Sequence, residues 1–453
     1  MTQRWHTVAM ALLATARSVA QPSAAPAVAT SQGPAIYLVT AVDSGQGRAY
    51  LGYLYDNSHR PVRVLDTASG AFLPSIPLPA DNQFSALAVD SRAHRVYLAY
   101  YGYSTTAGVR TLDTRTGTIV RIVSIVPEPD AIAVDEHAGL VYVASAGYSR
   151  CALTDRCLDT GTNEVRDAII SVLDARHGTL VRTLTVRHVT YTGALVAVDG
   201  RARRVVLVSA AEATSQAEAG TDVSVLDALT GQLARRVHLA GGGALPPVVD
   251  EATRRAYVAT TVGHGGRVDL FDTRSGVRVR TIRLDSAPLA LAVGSASPGA
   301  PGNGYIAVTT LGPTRRERVA TSNGNVITTT VSIGRGSLSI VDARSGALLH
   351  SVAVGIEPQA LAIDARRGRI VVANVAGSDR RSASLGGGSV SIVDARTGAT
   401  LRTAPLGISP LHLALDTRTG HAIVVGYGGY TGLNSVDVVD DVSGVILRTE
   451  LLP

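Results

Sequence analysis

The stretch "SIVDARSGALLHSVAVG" (residues 339–355) returns as "SIVDARTGATLRTAPLG" (residues 391–407). Its kernel, D-x-x-[ST]-G, occurs at Asp66, Asp113, Asp227, Asp272, Asp342, Asp394 and Asp440, and Asp174 adds a variant with His177 in the Ser/Thr place. Successive copies are 47, 61, 53, 45, 70, 52 and 46 residues apart. A carboxylate closing an apolar run can accept hydrogen bonds from N–H groups two residues on, and a following glycine can take positive φ. An eightfold aspartate is therefore turn chemistry and not a catalytic group, since a site needs few copies and a scaffold needs all.

A second phrase alternates with the first. It reads "LAVDSRAHRVYLAY" (87–100), "IAVDEHAGLVYVAS" (132–145), "VAVDGRARRVVLVS" (196–209) and "LAIDARRGRIVVAN" (361–374), with looser copies elsewhere. The sixth unit, "LAVGSASPGAPGNGYIAVTT" (291–310), has Gly294 in place of the aspartate and a longer turn. Runs of about five Val, Ile, Leu, Ala and Tyr residues are strand-length. Each unit holds four of them, and the chain carries no helical pattern. Four short antiparallel strands at this period match a propeller blade and are too long a unit for a hexapeptide β-helix.

The expected fold is all-β, a β-propeller of eight four-stranded antiparallel blades, each unit supplying its own four strands. Units begin near residues 36, 84, 129, 193, 244, 288, 358 and 410. A seven-bladed propeller with the first unit peripheral is the alternative.

The wording "VAVGIEPQALAIDARRGRIVVANVAG" (352–377) resembles the YVTN family of forty-residue-repeat β-propellers. The resemblance covers the chain from about residue 36 onward. It implies the fold and is nearly silent on activity, because YVTN-like propellers include surface-layer and secreted binding proteins. They are similar in fold to sugar-lactone lactonases, an antibiotic lyase and amine dehydrogenase subunits. No Trp-Asp pair, tryptophan docking motif or sialidase-type box is present, and the only tryptophan is Trp5.

Composition agrees with a β-rich globular protein: 45% hydrophobic, 17% charged and 46 Gly in 453 residues. The net charge of +6 is carried by arginine alone, which removes lysine Schiff-base chemistry. The arginines are dispersed through short turns, so no nucleic-acid partner is expected. At the N-terminus, Arg4, an apolar run from about Thr7 to Ala16 and Ser18-Val19-Ala20 read as a signal peptide over 1–20, followed by an Ala/Pro/Ser linker over 21–34. The run is too short to span a bilayer. A single propeller domain over 35–453, monomeric and extracytoplasmic (secreted, periplasmic or at the cell surface), is expected.

Within each unit the first-to-second and third-to-fourth connections are short and repetitive. The second-to-third connections vary widely in length. An up-down blade puts all of that variation on one face, the arrangement of binding loops on a rigid scaffold. These loops carry Tyr53, Tyr55, Tyr100, Tyr101, Tyr103, Tyr148, Tyr427 and Tyr430, residues suited to glycan or peptide recognition. The candidate ligand-binding set is Tyr53, Tyr55, Tyr101, Tyr103, Tyr148, Tyr427 and Tyr430 with His59. The competing reading is that some rings cap strand ends and pack between blades.

Cys151 and Cys157, alone in the chain and close together, predict a local disulfide. Two cysteines do not make a zinc site, and the acids around them do not match a calcium loop. No cofactor is expected, with a divalent cation left open. In the sixth unit, "ERVATSNGNVITTTVSI" (317–333) centres two β-prone runs on Asn323-Gly324, a hairpin signal. His94, His137, His177 and His421 fall in short turns, His238 and His350 in outer strands, and His59, His188, His264 and His412 in variable-face segments. None belongs to a catalytic signature. The expected function is recognition or scaffolding of a glycan, peptide or partner protein through the variable loops. The alternative is a lactonase- or lyase-type enzyme acting at the channel mouth.

Overall fold

A computed structural model describes residues 37–452 apart from 55–59, 79–81, 103–106, 126–127, 147–165, 190–192, 212–219, 295–303, 321–325, 377–386 and 428–433. Among the described residues there is no helix. The strands form eight four-stranded antiparallel blades, one per sequence unit, the all-β propeller fold with eight blades and not seven. A single parallel bridge, Leu54 to Phe84, joins the sheets of blades 1 and 2. The described residues fall into two compact units. One comprises Tyr50–Arg63 and Pro74–Arg283, the other residues 37–49, Val64–Leu73 and 284–452.

Blade 7 shows the plan. Its strands Ile356–Asp364, Arg369–Ala376, Ser389–Asp394 and Thr400–Pro405 pair in that order. The middle two strands are buried on both faces and read as nearly continuous Val, Ile and Ala, because blade stacks on blade and neither face meets water. Val371, Ala373, Val390 and Ile392 of blade 7 pack against Ala422, Val424 and Val439 of blade 8 in one buried cluster. In the other unit, Ile170, Val172 and Leu184 of blade 3 meet Val196, Val205 and Leu207 of blade 4 in the same way. Each fully buried Val or Ile contributes about 1.5–3 kcal/mol. The fourth strands are edges and expose much of their length, Leu348 by 57% among them.

The hairpin expected in blade 6 is present. Thr314–Ala320 pairs with Val326–Ser332 in a two-stranded sheet of its own. Beneath it the second and third strands of the blade (Tyr305–Thr310 and Ser337–Asp342) pair directly, and the hydroxyls of Thr310 and Ser337 lie 2.7 Å apart.

Candidate functional site

Every blade has two ends, and the turn end is built to one pattern. In blade 7, Asp394 Oδ1 accepts from the N–H groups of Arg396 (3.1 Å) and Thr397 (2.9 Å) and from the Thr397 hydroxyl (3.0 Å). Gly398 returns its N–H to the Asp394 carbonyl at 2.9 Å, and its φ of 70° is the left-handed value that glycine takes without a Cβ penalty. A Cβ there would lie 2.7 Å from the His350 ring. Asp394 Oδ2 accepts from Arg369 Nη1 at 2.7 Å.

The same ion pair joins Arg95 to Asp113, Arg204 to Asp227 and Arg255 to Asp272, at 2.5–2.6 Å. The arginine opens the second strand and the aspartate closes the third. These bonds use up both carboxylate oxygens. Burial alone would raise the acids, but the turn N–H groups, hydroxyls and arginines outweigh it, and all eight turn aspartates titrate below the usual carboxylate range.

The aspartate closing the first strand is buried in the seven blades that have it: Asp43, Asp90, Asp135, Asp199, Asp250, Asp364 and Asp416 are at most 4% exposed. It caps the first-to-second turn, as Asp364 Oδ1 does for the N–H groups of Arg366 and Arg367. The residue four places on is left-handed throughout. Gly47, Gly139, Gly368 and Gly420 hold it in four blades, and His94, Arg203 and Arg254 hold it in three at φ of 51–58°. In all eight blades the residue after the turn aspartate donates its N–H to the carbonyl at or near this left-handed position, for example Ala395 to Gly368 and Thr67 to Gly47. The two turns of a blade are thus tied to each other.

The loop end keeps no such pattern. Of the candidate ligand-binding residues, Tyr55, His59, Tyr103, Tyr148 and Tyr430 lie outside the described residues, as do Cys151, Cys157, the leader and the linker. Tyr53 does not reach the surface: it is 4% exposed, with the Arg60 guanidinium 4.8 Å from its ring centre. Its neighbour in pattern, Tyr100, is equally buried beneath Arg110 at 4.2 Å. A ring one position nearer the strand end escapes this packing. Tyr101 is half-buried, and Tyr427, closing the second strand of blade 8 (His421–Tyr427), is 45% exposed. His264 sits in the loop-end turn of blade 5, between strands Arg255–Val262 and Gly265–Asp272. His412 instead lies inside the first strand of blade 8 (Ser409–Asp416), paired with Val425.

Sequence reading passed over three polar groups away from the turn caps, Asp130 half-buried and Arg110 and Asn374 buried. Asp130 precedes the first strand of blade 3 (Ala131–Asp135), and its Oδ2 accepts from the N–H groups of Ala146 (2.6 Å) and Ala194 (3.1 Å). Burial pushes this carboxyl up to about 7 against those two bonds, and Glu128 adds to the rise. Arg110 is 3% exposed and stacked on Tyr100, and burial lowers its pKa. Asn374, in the "VVAN" of the second phrase, accepts from the Gly355 N–H and donates to the hydroxyls of Ser389 and Ser391. Among the described residues no group of three or more His, Cys, Asp or Glu is placed to hold a metal ion, and no helix is long and apolar enough to cross a membrane.

This architecture is that of the β-propellers, and solved structures agree. The chain is similar to the dihydro-heme d1 dehydrogenase NirN in complex with DHE, at 14% identity and a TM-score of 0.55, covering 94% of this chain and 76% of that one. It is similar to the Dos1 propeller at 12% identity and a TM-score of 0.54, with 84% and 88% covered. Sqt1 of Saccharomyces cerevisiae follows at 10% identity and a TM-score of 0.52, with 82% and 85% covered. Likeness at these identities shows the fold alone. No family model matches the chain, and no curated protein matches it.

Proposed function

We propose that this propeller is an exported recognition or scaffold protein that takes a glycan, a peptide or a protein partner on its second-to-third-strand loops. The observation that carries the reading is the contrast between the two ends of the blades. The repeated aspartates of the turn end are committed to turn and arginine bonds, whereas the loop end offers Tyr427 with nearly half its surface in water. An amphipathic ring fixed at the end of a strand supplies contact area at low entropic cost. The YVTN-like wording of the repeat and the leader-like N-terminus support the same reading, with cleavage near Ala20.

The test is binding of the purified protein to immobilised glycans and peptides, before and after joint replacement of Tyr101, Tyr103, Tyr427 and Tyr430 by Ala. At least a tenfold loss of binding with an unchanged melting temperature is expected. Equal binding by the variant would sink the proposal.

A further inference from the structure

The junctions between blades differ at one position. The residue after the turn aspartate is Thr67 in blade 1, and its hydroxyl donates at 2.5 Å to Asp416, the buried aspartate closing the first strand of blade 8. Thr273 of blade 5 donates in the same way, also at 2.5 Å, to Asp199 of blade 4. A neutral hydroxyl thus meets a buried carboxylate of the blade before it. In blade 8 this place is held by Asp441, which is 0% exposed and faces Asp364 of blade 7, also 0% exposed. Neither oxygen of Asp441 has a hydrogen-bond donor when both acids are ionised. Gly420 packs so close that a Cβ on it would come within 2.7 Å of Asp441 Oδ1.

The cation that acts on Asp441, Arg367, is already committed. Arg367 Nη1 bonds Asp364 Oδ2 at 2.5 Å and the Thr417 carbonyl at 3.0 Å, and Nη2 reaches the Arg418 carbonyl at 3.4 Å. Asp364 Oδ1 takes the N–H groups of Arg366 and Arg367. Asp364 is therefore solvated by the protein as an anion and Asp441 is not. Two buried carboxylates in contact cannot both ionise cheaply.

We propose that Asp441 is a buried proton-binding site: in mildly acidic solution it carries a proton and donates it to Asp364, standing where Thr67 and Thr273 place a hydroxyl at two other junctions and fastening blade 8 to blade 7. Loss of that proton turns the fastening into a repulsion between two enclosed anions. The other charged groups around the pair are Asp440, whose Oδ1 is taken by Val442 and Ser443, and Asp416 with Arg418. His421 is close by, with Nδ1 2.7 Å from the Thr67 carbonyl oxygen. Burial, then Asp364, push Asp441 up to about 7 against the pull of Arg367. A carboxyl raised in the folded state binds a proton that the unfolded chain has released, so its contribution is complete below the ordinary carboxyl value. That contribution fades as pH rises through about 7.

The experiment is denaturant unfolding of the full chain between pH 5 and 8, comparing wild type with Asp441→Thr and Asp441→Asn. The wild-type unfolding constant should rise with pH relative to either variant, by up to about tenfold per pH unit for one proton. Both variants should be the more stable at pH 8. Asp130 is present in all three proteins and lies in another blade, so its contribution is common to them. Should Asp441→Thr fail to fold, Asp441→Asn, nearly the size of the native residue, carries the same test. Parallel pH profiles for wild type and the folded variants would overturn the proposal.

Discussion

The turn end and the loop end of each blade are made from the same strands and obey opposite rules. At the turn end eight copies repeat one set of bonds, down to the Gly N–H returning to the aspartate carbonyl in every blade. At the loop end the connections share neither length nor composition. The difference teaches where each kind of residue does its work. The polar groups that recur at the turn end are bonded to their own blade or to the next.

Breaking the turn end should have the largest effect. Asp416→Ala removes a fully buried acceptor and strands the Thr67 hydroxyl and the Arg418 N–H. About 3 kcal/mol of stability should be lost, read from chemical denaturation. Asp394→Ala gives up two N–H bonds, one hydroxyl and Arg369 in a less enclosed place. About 2 kcal/mol is expected there.

Acid should weaken the turn ends together. All eight turn aspartates are held below the ordinary carboxylate value, so their contribution is present above about 3.8 and is lost as pH falls through their folded values. A circular-dichroism titration should therefore show the melting temperature dropping below about pH 4. Tyr427→Ala, at the loop end, should move stability by no more than about 0.5 kcal/mol. A loss above 2 kcal/mol would mean that the ring is structural and would erase the contrast. The smallest effect is a gain. Arg254→Gly relieves a left-handed position of about 1–2 kcal/mol of strain against about 0.5–1 kcal/mol of added chain entropy, so a rise in melting temperature of a few degrees at most is expected.

Much of this was legible from residue order because the repeat averages out local ambiguity. Seven copies of D-x-x-[ST]-G and the Asp174 variant located the turns, the blade count and the loop end, and Asn323-Gly324 located the hairpin. What stayed hidden depends on which face of a strand a residue occupies and on which blade stands beside it. Arg369 and Asp394 are 25 residues apart and belong to different phrases, so arginines that read as scattered turn charges are in fact half of an ion pair. Tyr53 and Tyr55 look equivalent in the loop wording, yet Tyr53 still belongs to the paired strand Arg48–Leu54 and is drawn into the packing. His94 reads as an ordinary turn residue, and only its φ of 58° shows it standing where other blades use glycine. Asp441 follows an aspartate of the turn motif, and its meeting with Asp364 across a junction leaves no trace in local order.

Blade 6 shows what the tying of the two turns makes possible. Its second and third strands pair up to Thr310 and Ser337, and twenty-six residues, hairpin included, leave and re-enter there. The guest needs only that its two ends stand one strand spacing apart, about 5 Å. Because each blade closes at its far end, the near end behaves as a socket that accepts a folded insert without consulting the rest of the chain. Blade 6 uses that socket for a folded hairpin.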